Sequence, residues 1–472
     1  MQKKVIWIAI IGLAILHACL QAGEIQSDTL FHIKTGEWII VNGKIPHADI
    51  FSWTIPNSHW IAHEWLWELL AYLFYYKLGN WGTFLLSSVG VIMYAIFLWE
   101  ILKRRCSIPV SAVILILALI SLSPFWCARP HVIAYGLFAL TMYILFTAKE
   151  SPRRLWLLPI ITAIWVNMHG SVIPGIMLII GFCFFSVVNL GPLSGVNYNK
   201  LGILSLLVIA STTLNPNGLK IWEYVFFTIS NENFSKYITE WFSPNFQNSS
   251  MFLGMFLLLI LIVAVSVKKD KSFLFEGILT AATCAMWLYS TRHMPYFVFC
   301  GSLLLSSTIG SYRVKKIVLR PISIILAMCL IVLNIASPDW VKKDYYQEIF
   351  PVKAVDYMHR ENLTKNVFNL YYWGGYLIFK DIPVFVDGRA DIYEASEKNV
   401  FKDYLDATNL RETKKVKDPM DVLKKWNVNV VLIPPNITLN LILQKEKEWN
   451  EVYRDTMAVV YKKVSSGKME SQ

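Results

Sequence analysis

Charge is scarce in this chain. Only 16% of its 472 residues are Asp, Glu, Lys or Arg, 55% are hydrophobic, and the mean hydropathy is +0.45. Soluble domains carry about 25% charged residues, so an ordinary soluble fold is excluded for most of the sequence. Cysteine is scarce as well. Cys19, Cys106, Cys127, Cys183, Cys284, Cys300 and Cys329 all precede residue 337, and none forms C-x-x-C. The C-terminal part therefore has neither a disulfide framework nor a cysteine zinc site. Long low-complexity segments and clear internal repeats are lacking too. The net charge of +11 is unevenly placed. From residue 337 onward, 21 Lys and Arg stand against 20 Asp and Glu, so the excess lies among the earlier apolar runs. Basic residues there report membrane topology, and nucleic acid is excluded as a partner.

What the chain does have is apolar length. The first run, 5–22, follows Lys3 and Lys4 and reads as an uncleaved anchor rather than a signal peptide. Further runs lie near 81–102, 107–124, 131–148, 155–168, 171–190, 201–214, 251–267, 273–290, 294–310 and 317–336. They predict a mainly α, polytopic membrane bundle of about eleven spans over 1–336. Within it, 23–80 is a large first outer loop. Residues 337–472 are expected to form a small outer α/β domain. With the N-terminus in the cytoplasm of a plasma (inner) membrane, the basic loops fall inside: Lys103 to Arg105, Lys149 to Arg154, Lys200, Lys268 to Lys271 and Arg313 to Arg320. This requires 64–79, with Trp65, Leu69, Tyr72 and Tyr76, to lie in the interface. His32, His47, His59, His63, His131, His169 and His293 then all face outward, beside the C-terminal domain. In that domain Val367 to Leu370, Val384 to Val386, Val428 to Ile433 and Val459 to Tyr461 are strand candidates. Residues 352–362, 395–409 and 418–426 read as helices, and 464–472 as a frayed end.

The polar groups of the first outer loop are the richest candidates for chemistry. Asp28, close to a span, could act as a general base or ligate a divalent cation, or it could simply cap a helix from Thr29. His32 would share its helical face. Asp49 could be a second carboxylate or a turn residue. His63 and Glu64 open the interfacial helix, either touching a substrate headgroup or serving the helix dipole. Arg129 with His131, and Arg292 with His293, sit at outer span ends. They either snorkel or bind phosphate, which suits arginine geometry. Asn167 and His169 fit close helix packing as well as substrate contact. Glu240 could be a solvated loop acid. Trp373 to Tyr376 form an aromatic-glycine turn, and Asp387 to Asp391 could meet a sugar or close on themselves through an Asp–Arg pair.

Taken in order, these residues resemble a family. The set is Asp28, His32, Thr35, Gly36; Gly43, Ile45, Pro46, Asp49, Phe51, Ser52, Thr54; Trp60, His63, Glu64, Trp65, Leu66. Arg129-Pro130, Asn167 with His169-Gly170, Asn215-Pro216, Glu240-Trp241, Arg292, Trp373-Gly374-Gly375-Tyr376 and Asp387-Gly388-Arg389 follow. Over about 20–395 the pattern is similar to a group of bacterial membrane proteins within the GT-C superfamily of multi-span glycosyltransferases. That resemblance implies transfer of a sugar from a polyprenyl-phosphate donor to a glycan, lipid or protein acceptor on the extracytoplasmic face, with inversion. Membrane lipid is an implied partner. Asp28 falls where the superfamily keeps its first-loop catalytic acid. The implied substrate-binding set is His32, Asp49, His63, Glu64, Arg129, His131, Asn167, His169, Glu240, Arg292, Trp373 and Tyr376. The aromatic-glycine turn resembles the W-W-D-Y-G motif of oligosaccharyltransferases, with Gly374-Gly375 in place of its acid. No adjacent D-x-D follows the first span. Asp28 and Asp49 would be the ligands if Mg or Mn is used. The alternative is a non-catalytic transporter, flippase or assembly subunit for lipid-linked glycans.

Overall fold

The computed structural model describes residues 2–188, 191, 193, 196–247, 249–267, 273–309, 316–335, 338–342, 344–408 and 417–464. Lys268 to Lys271, Arg313 to Lys315 and 465–472 lie outside the described residues.

Each apolar run becomes a helix, because a chain whose side chains cannot favour water must satisfy its backbone internally. Together with four helices that lie outside the runs, at 27–42, 65–78, 220–230 and 232–237, they are in order α1 (Gln2–Gln21), α2 (Ser27–Asn42), α3 (Trp65–Leu78), α4 (Asn80–Arg105), α5 (Ile108–Ser121), α6 (Pro130–Phe146), α7 (Leu158–Trp165), α8 (Val172–Val187), α9 (Tyr198–Ser211), α10 (Lys220–Ser230), α11 (Glu232–Tyr237), α12 (Ser249–Val267), α13 (Leu274–Tyr289), α14 (Met294–Ile309) and α15 (Lys316–Ile335). Among the described residues, α4 is the one helix both long and apolar enough to cross a membrane by itself. Seven shorter apolar helices of 10–17 residues accompany it. The run at 155–168 divides between a 3-10 helix, Pro152–Leu157, and the eight-residue α7.

The chain forms two compact units. The first comprises Met1–Glu24, His63–Leu70 and Phe74–Asp339. Its centre is the crossing of α4 and α6. An added Cβ at Gly90 would stand 2.3 Å from the Val132 carbonyl oxygen, and one at Gly136 would stand 2.8 Å from the Gly90 oxygen. The two backbones touch because neither residue has a side chain. Around the crossing Tyr94 meets Trp126 and Phe299 edge-on at 5.6 and 5.4 Å, and its hydroxyl donates to the Pro295 carbonyl at 2.9 Å.

The second unit comprises Ile25–Ala62, Ala71–Leu73 and Trp340–Gln472. It holds a four-stranded sheet of β1 (Val367–Asn369), β2 (Val430–Ile433), β3 (Trp449–Arg454) and β4 (Val459–Lys463), in the order β1-β2-β4-β3. β1 and β2 are parallel; the other pairs are antiparallel. The short helices continue as α16 (Tyr345–Ile349), α17 (Val352–Arg360), α18 (Gly374–Phe379), α19 (Ala390–Ala395), α20 (Val400–Ala407), α21 (Pro419–Lys425) and α22 (Thr438–Leu443). Three details differ from the sequence expectation. The helix expected over 395–409 is interrupted, since α19 ends at Ala395 and α20 begins at Val400 after Asn399 in the left-handed region, and residue 409 lies outside the described residues. β3 carries Trp449, Asn450, Glu451 and Arg454, a pattern too polar to stand out. Val384 to Val386 is not a ladder strand, because the Asn369 side chain takes the place of a neighbour. It accepts from Phe385 N–H at 2.8 Å and donates to the Val386 oxygen at 2.8 Å.

Residues 25–62, most of the expected first loop, fold into this second unit. Trp53 N–H donates to the Val384 oxygen, and Val384 N–H returns a bond to the Phe51 oxygen, both at 3.1 Å. Trp53 Nε1 reaches the Val367 carbonyl at 3.1 Å and Thr54 Oγ1 the Phe385 carbonyl at 2.9 Å. The F-S-W-T stretch thus docks through an isolated parallel bridge between Ser52 and Val384, with its side chains reaching the neighbouring carbonyls.

Candidate functional site

In the second unit Asp28 lies inside the first turn of α2. The capping position belongs to Gln26, whose N–H donates to Thr29 Oγ1 at 3.0 Å. A carboxylate in that turn is favoured by the helix dipole. Asp28 rests on the D-G-R loop: a Cβ added to Gly388 would stand 2.0 Å from Asp28 Oδ1. His32, one turn on, is buried and its ring lies 4.1 Å from that of Phe31. The N-terminus of α18 packs on the N-terminus of α2. Gly375 N–H donates to Ser27 Oγ at 3.0 Å, and a Cβ at Gly375 would lie 1.9 Å from the Ser27 oxygen. The aromatic-glycine turn therefore serves a close approach of two backbones. Trp373 and Tyr376 are buried, with Tyr376 stacked on Phe350 at 4.8 Å.

Asp49 is also buried, and it is a turn residue and an ion-pair partner together. Oδ2 accepts from Ser52 N–H at 2.9 Å and Ser52 Oγ at 2.6 Å, while Oδ1 lies 2.8 Å from Arg389 Nη1. Arg389 also donates Nε and Nη2 to Asp387 at 2.8 and 2.7 Å. Its guanidinium lies 4.6 Å from the Trp60 ring centre and 5.1 Å from that of Phe51. Burial alone would lower the Arg389 pKa, but Asp387 and Asp49 outweigh it and the group is held well above the usual arginine value. Arg389 was not singled out from sequence as a site residue; the Asp–Arg pair in D-G-R-A-D was the signal for it.

The first unit collects the remaining candidates. Arg129 pairs with Glu240. Burial pushes the Glu240 carboxyl up, yet Arg129 and Arg292 overcome this and bring it down to about 2. Arg292 stacks over Trp241 at 4.5 Å. Ser290 and Thr291 hydroxyls both donate to the Glu240 carbonyl, at 3.1 and 3.0 Å, and tie the two loops together. His131 Nε2 lies 3.2 Å from the Phe125 carbonyl, and its ring is 6.3 Å from that of His169. His169 Nδ1 accepts from Ser171 N–H at 3.0 Å, so a neutral ring carries its proton on Nε2. That atom faces Glu64 Oε1 at 3.5 Å; His63 Nε2 lies 3.7 Å from the same oxygen. Burial, then the positive charge of Arg292, holds the His169 pKa well below the usual range, so it is neutral at pH 7. Asn167 is the brace: it accepts from Trp65 Nε1 at 2.7 Å and donates to the Ala163 and Leu214 carbonyls.

Arg129 and Arg292 with Glu240, and a neutral His169 beside Glu64, gather in one partly desolvated corner, and guanidinium groups so placed suit an anion. Among the described residues, no group of three or more His, Cys, Asp or Glu side chains converges as for a metal ion.

No family model matches the chain, and no curated protein matches it by sequence. Solved structures do match in shape. ArnT from Cupriavidus metallidurans bound to undecaprenyl phosphate superposes with a TM-score of 0.57 at 12% identity, over 98% of each chain. The archaeal oligosaccharyltransferase AglB from Archaeoglobus fulgidus, in complex with an inhibitory peptide and a dolichol-phosphate, gives 0.57 at 11% identity. That match covers 91% of this chain and 69% of the other. The apo oligosaccharyltransferase from the same organism gives 0.56. At these identities the likeness is one of fold.

Proposed function

We propose that this chain, which has the GT-C membrane glycosyltransferase fold, transfers a sugar from a polyprenyl-phosphate donor to an acceptor on the extracytoplasmic face. The observation that carries the reading is the paired arginines at Glu240, in a chain whose fold matches a protein bound to undecaprenyl phosphate over 98% of its length. Arg129 and Arg292 hold the donor phosphate. Asp28 takes the proton of the acceptor nucleophile as that atom bonds to the sugar anomeric carbon. The bond from that carbon to the phosphate oxygen breaks, and the lipid phosphate leaves with the electron pair, its charge met by the arginines. Backside attack inverts the anomeric centre. His32, His63, Glu64 and His169 orient the substrates, and Asn167 fixes the loop that carries His169. His131 completes the binding set, Trp373 and Tyr376 act from their buried positions by fixing the aromatic-glycine turn, and Asp49 acts through Arg389. A Mg or Mn ion, if used, would be held at Asp28; Asp49, expected as a second ligand, is instead taken up by Arg389 and Ser52. The site belongs to the plasma (inner) membrane, with a cytoplasmic N-terminus and an extracytoplasmic C-terminal domain.

The test is to delete the gene, identify which surface glycan, glycoprotein or lipid loses a sugar, and complement with Asp28→Asn. The variant is expected to insert and fold as wild type and to restore none of the lost sugar. Full restoration by Asp28→Asn would remove Asp28 from the chemistry.

A further inference from the structure

We infer that the Asp387-Gly388-Arg389 loop is the seat that sets the position of the Asp28 carboxylate, with Gly388 as the positioning residue. Its consequence for catalysis rests on the role proposed for Asp28; the seat itself does not.

Glycine is used here for room rather than for backbone freedom. The φ of Gly388 is not in the left-handed region, unlike that of Gly43, Gly79 and Gly218. Another residue could adopt this backbone, and the nearest thing its Cβ would meet is Asp28 Oδ1, at 2.0 Å. Real Cβ atoms do not come within 3.0 Å of a neighbour, so one partner would have to move.

The loop is the partner less able to move. The Gly388 carbonyl accepts from the Tyr371 hydroxyl at 2.9 Å. On one side, Asp387 accepts from Arg389 N–H at 2.9 Å, from its guanidinium twice, and from the Tyr393 hydroxyl at 2.6 Å. On the other, Arg389 is pinned by Asp49 and enclosed by Phe51 and Trp60. Gly374 packs directly behind, where a Cβ would stand 2.5 Å from the Val386 oxygen. Asp387 and Arg389 are buried, and a charged network of this kind resists displacement because every bond it loses is lost in a low dielectric. Asp28 is the side chain with a rotatable bond to yield. The first outer loop supplies the carboxylate and also Asp49, Phe51 and Trp60, so it helps to build the seat on which its own acid rests.

The test is a double-mutant cycle in the full chain, read by thermal unfolding, with Gly388→Ala, Asp28→Ala and the pair. Gly388→Ala is expected to lower the midpoint. In the Asp28→Ala background the oxygen is gone, and the same substitution should cost less than half as much. Additive shifts would overturn the seat. The second readout is glycan restored in the deletion strain, beside binding of undecaprenyl phosphate to the purified protein. Gly388→Ala should cut transfer on the order of 10- to 100-fold, as a misplaced reacting group does. Binding of undecaprenyl phosphate should be unchanged. Wild-type transfer by Gly388→Ala would also overturn the proposal. If Gly388→Ala does not fold, Tyr371→Phe loosens the same loop without adding volume. It should reduce transfer in the same direction and couple to Asp28→Ala in the cycle. A coupled cycle with full transfer by Asp28→Asn keeps the seat and defeats only the catalytic role of Asp28.

Discussion

At the scale of single residues, the two charged clusters follow different rules. The Arg389 guanidinium is buried among Asp49, Asp387 and two aromatic faces, and its neighbours supply structure. Glu240 is only partly buried, and one of its two arginines is stacked on a tryptophan rather than bonded to it. Because the Glu240 carboxyl is held at about 2, below its usual 4.5, its contribution to stability is complete above pH 4.5. That contribution is lost as the pH falls through about 2. Glu240→Gln should therefore lower the thermal midpoint at neutral pH. The gap to wild type should close as the pH is lowered from 4.5 toward 2. A gap that stays constant across this window would show that the carboxylate charge is not what holds Arg129 and Arg292. Sequence could nominate Arg129, Arg292 and Glu240, since each stands at a helix end or in a loop between apolar runs. It could not pair them, because Arg129 and Glu240 are 111 positions apart.

At the scale of elements, close backbone approach sets the packing of the bundle. Gly90 and Gly136 place α4 and α6 in van der Waals contact, whereas Gly12 in α1 has nothing within 4 Å of where a Cβ would stand. Gly90→Ala should cost about 1–3 kcal/mol by overpacking, seen as a lower thermal midpoint in detergent. Gly12→Ala should be neutral or stabilising, by up to ~1 kcal/mol of helix propensity. Equal midpoints for the two variants would show that the α4–α6 contact is not held at backbone distance. The helices of the apolar runs were plain in the sequence, where apolar length placed them within a few positions; α10 and α11, which lie between runs, were not expected. The short elements of the C-terminal part were less plain. α18 starts with Gly374-Gly375, residues of poor helix propensity, and forms because the N-terminus of α2 covers it.

At the scale of the whole molecule, residues 25–62 and the C-terminal residues share one folding unit. Without 340–472, Trp53 Nε1, Thr54 Oγ1 and Asp49 would lose the Val367 carbonyl, the Phe385 carbonyl and Arg389. A chain ending at Asp339 should therefore be cleaved within 25–62 by a dilute protease far faster than the full chain. Equal cleavage rates would show that the loop holds its shape alone.

The sequence by itself determined the class. Apolar runs of helix length leave the backbone one economical way to satisfy its hydrogen bonds, and the helical fold they build is like that of ArnT and of the archaeal oligosaccharyltransferase. Tertiary structure decided what each motif touches. D-x-F-S-x-T and D-G-R are separated by more than 300 positions, yet they close one ion-pair box, because Asp49 and Arg389 can be buried only together. Periodicity and propensity act over a few residues. The partner of a buried charge is chosen by the packing of elements distant in the chain, and that choice is what brought Gly388 under Asp28.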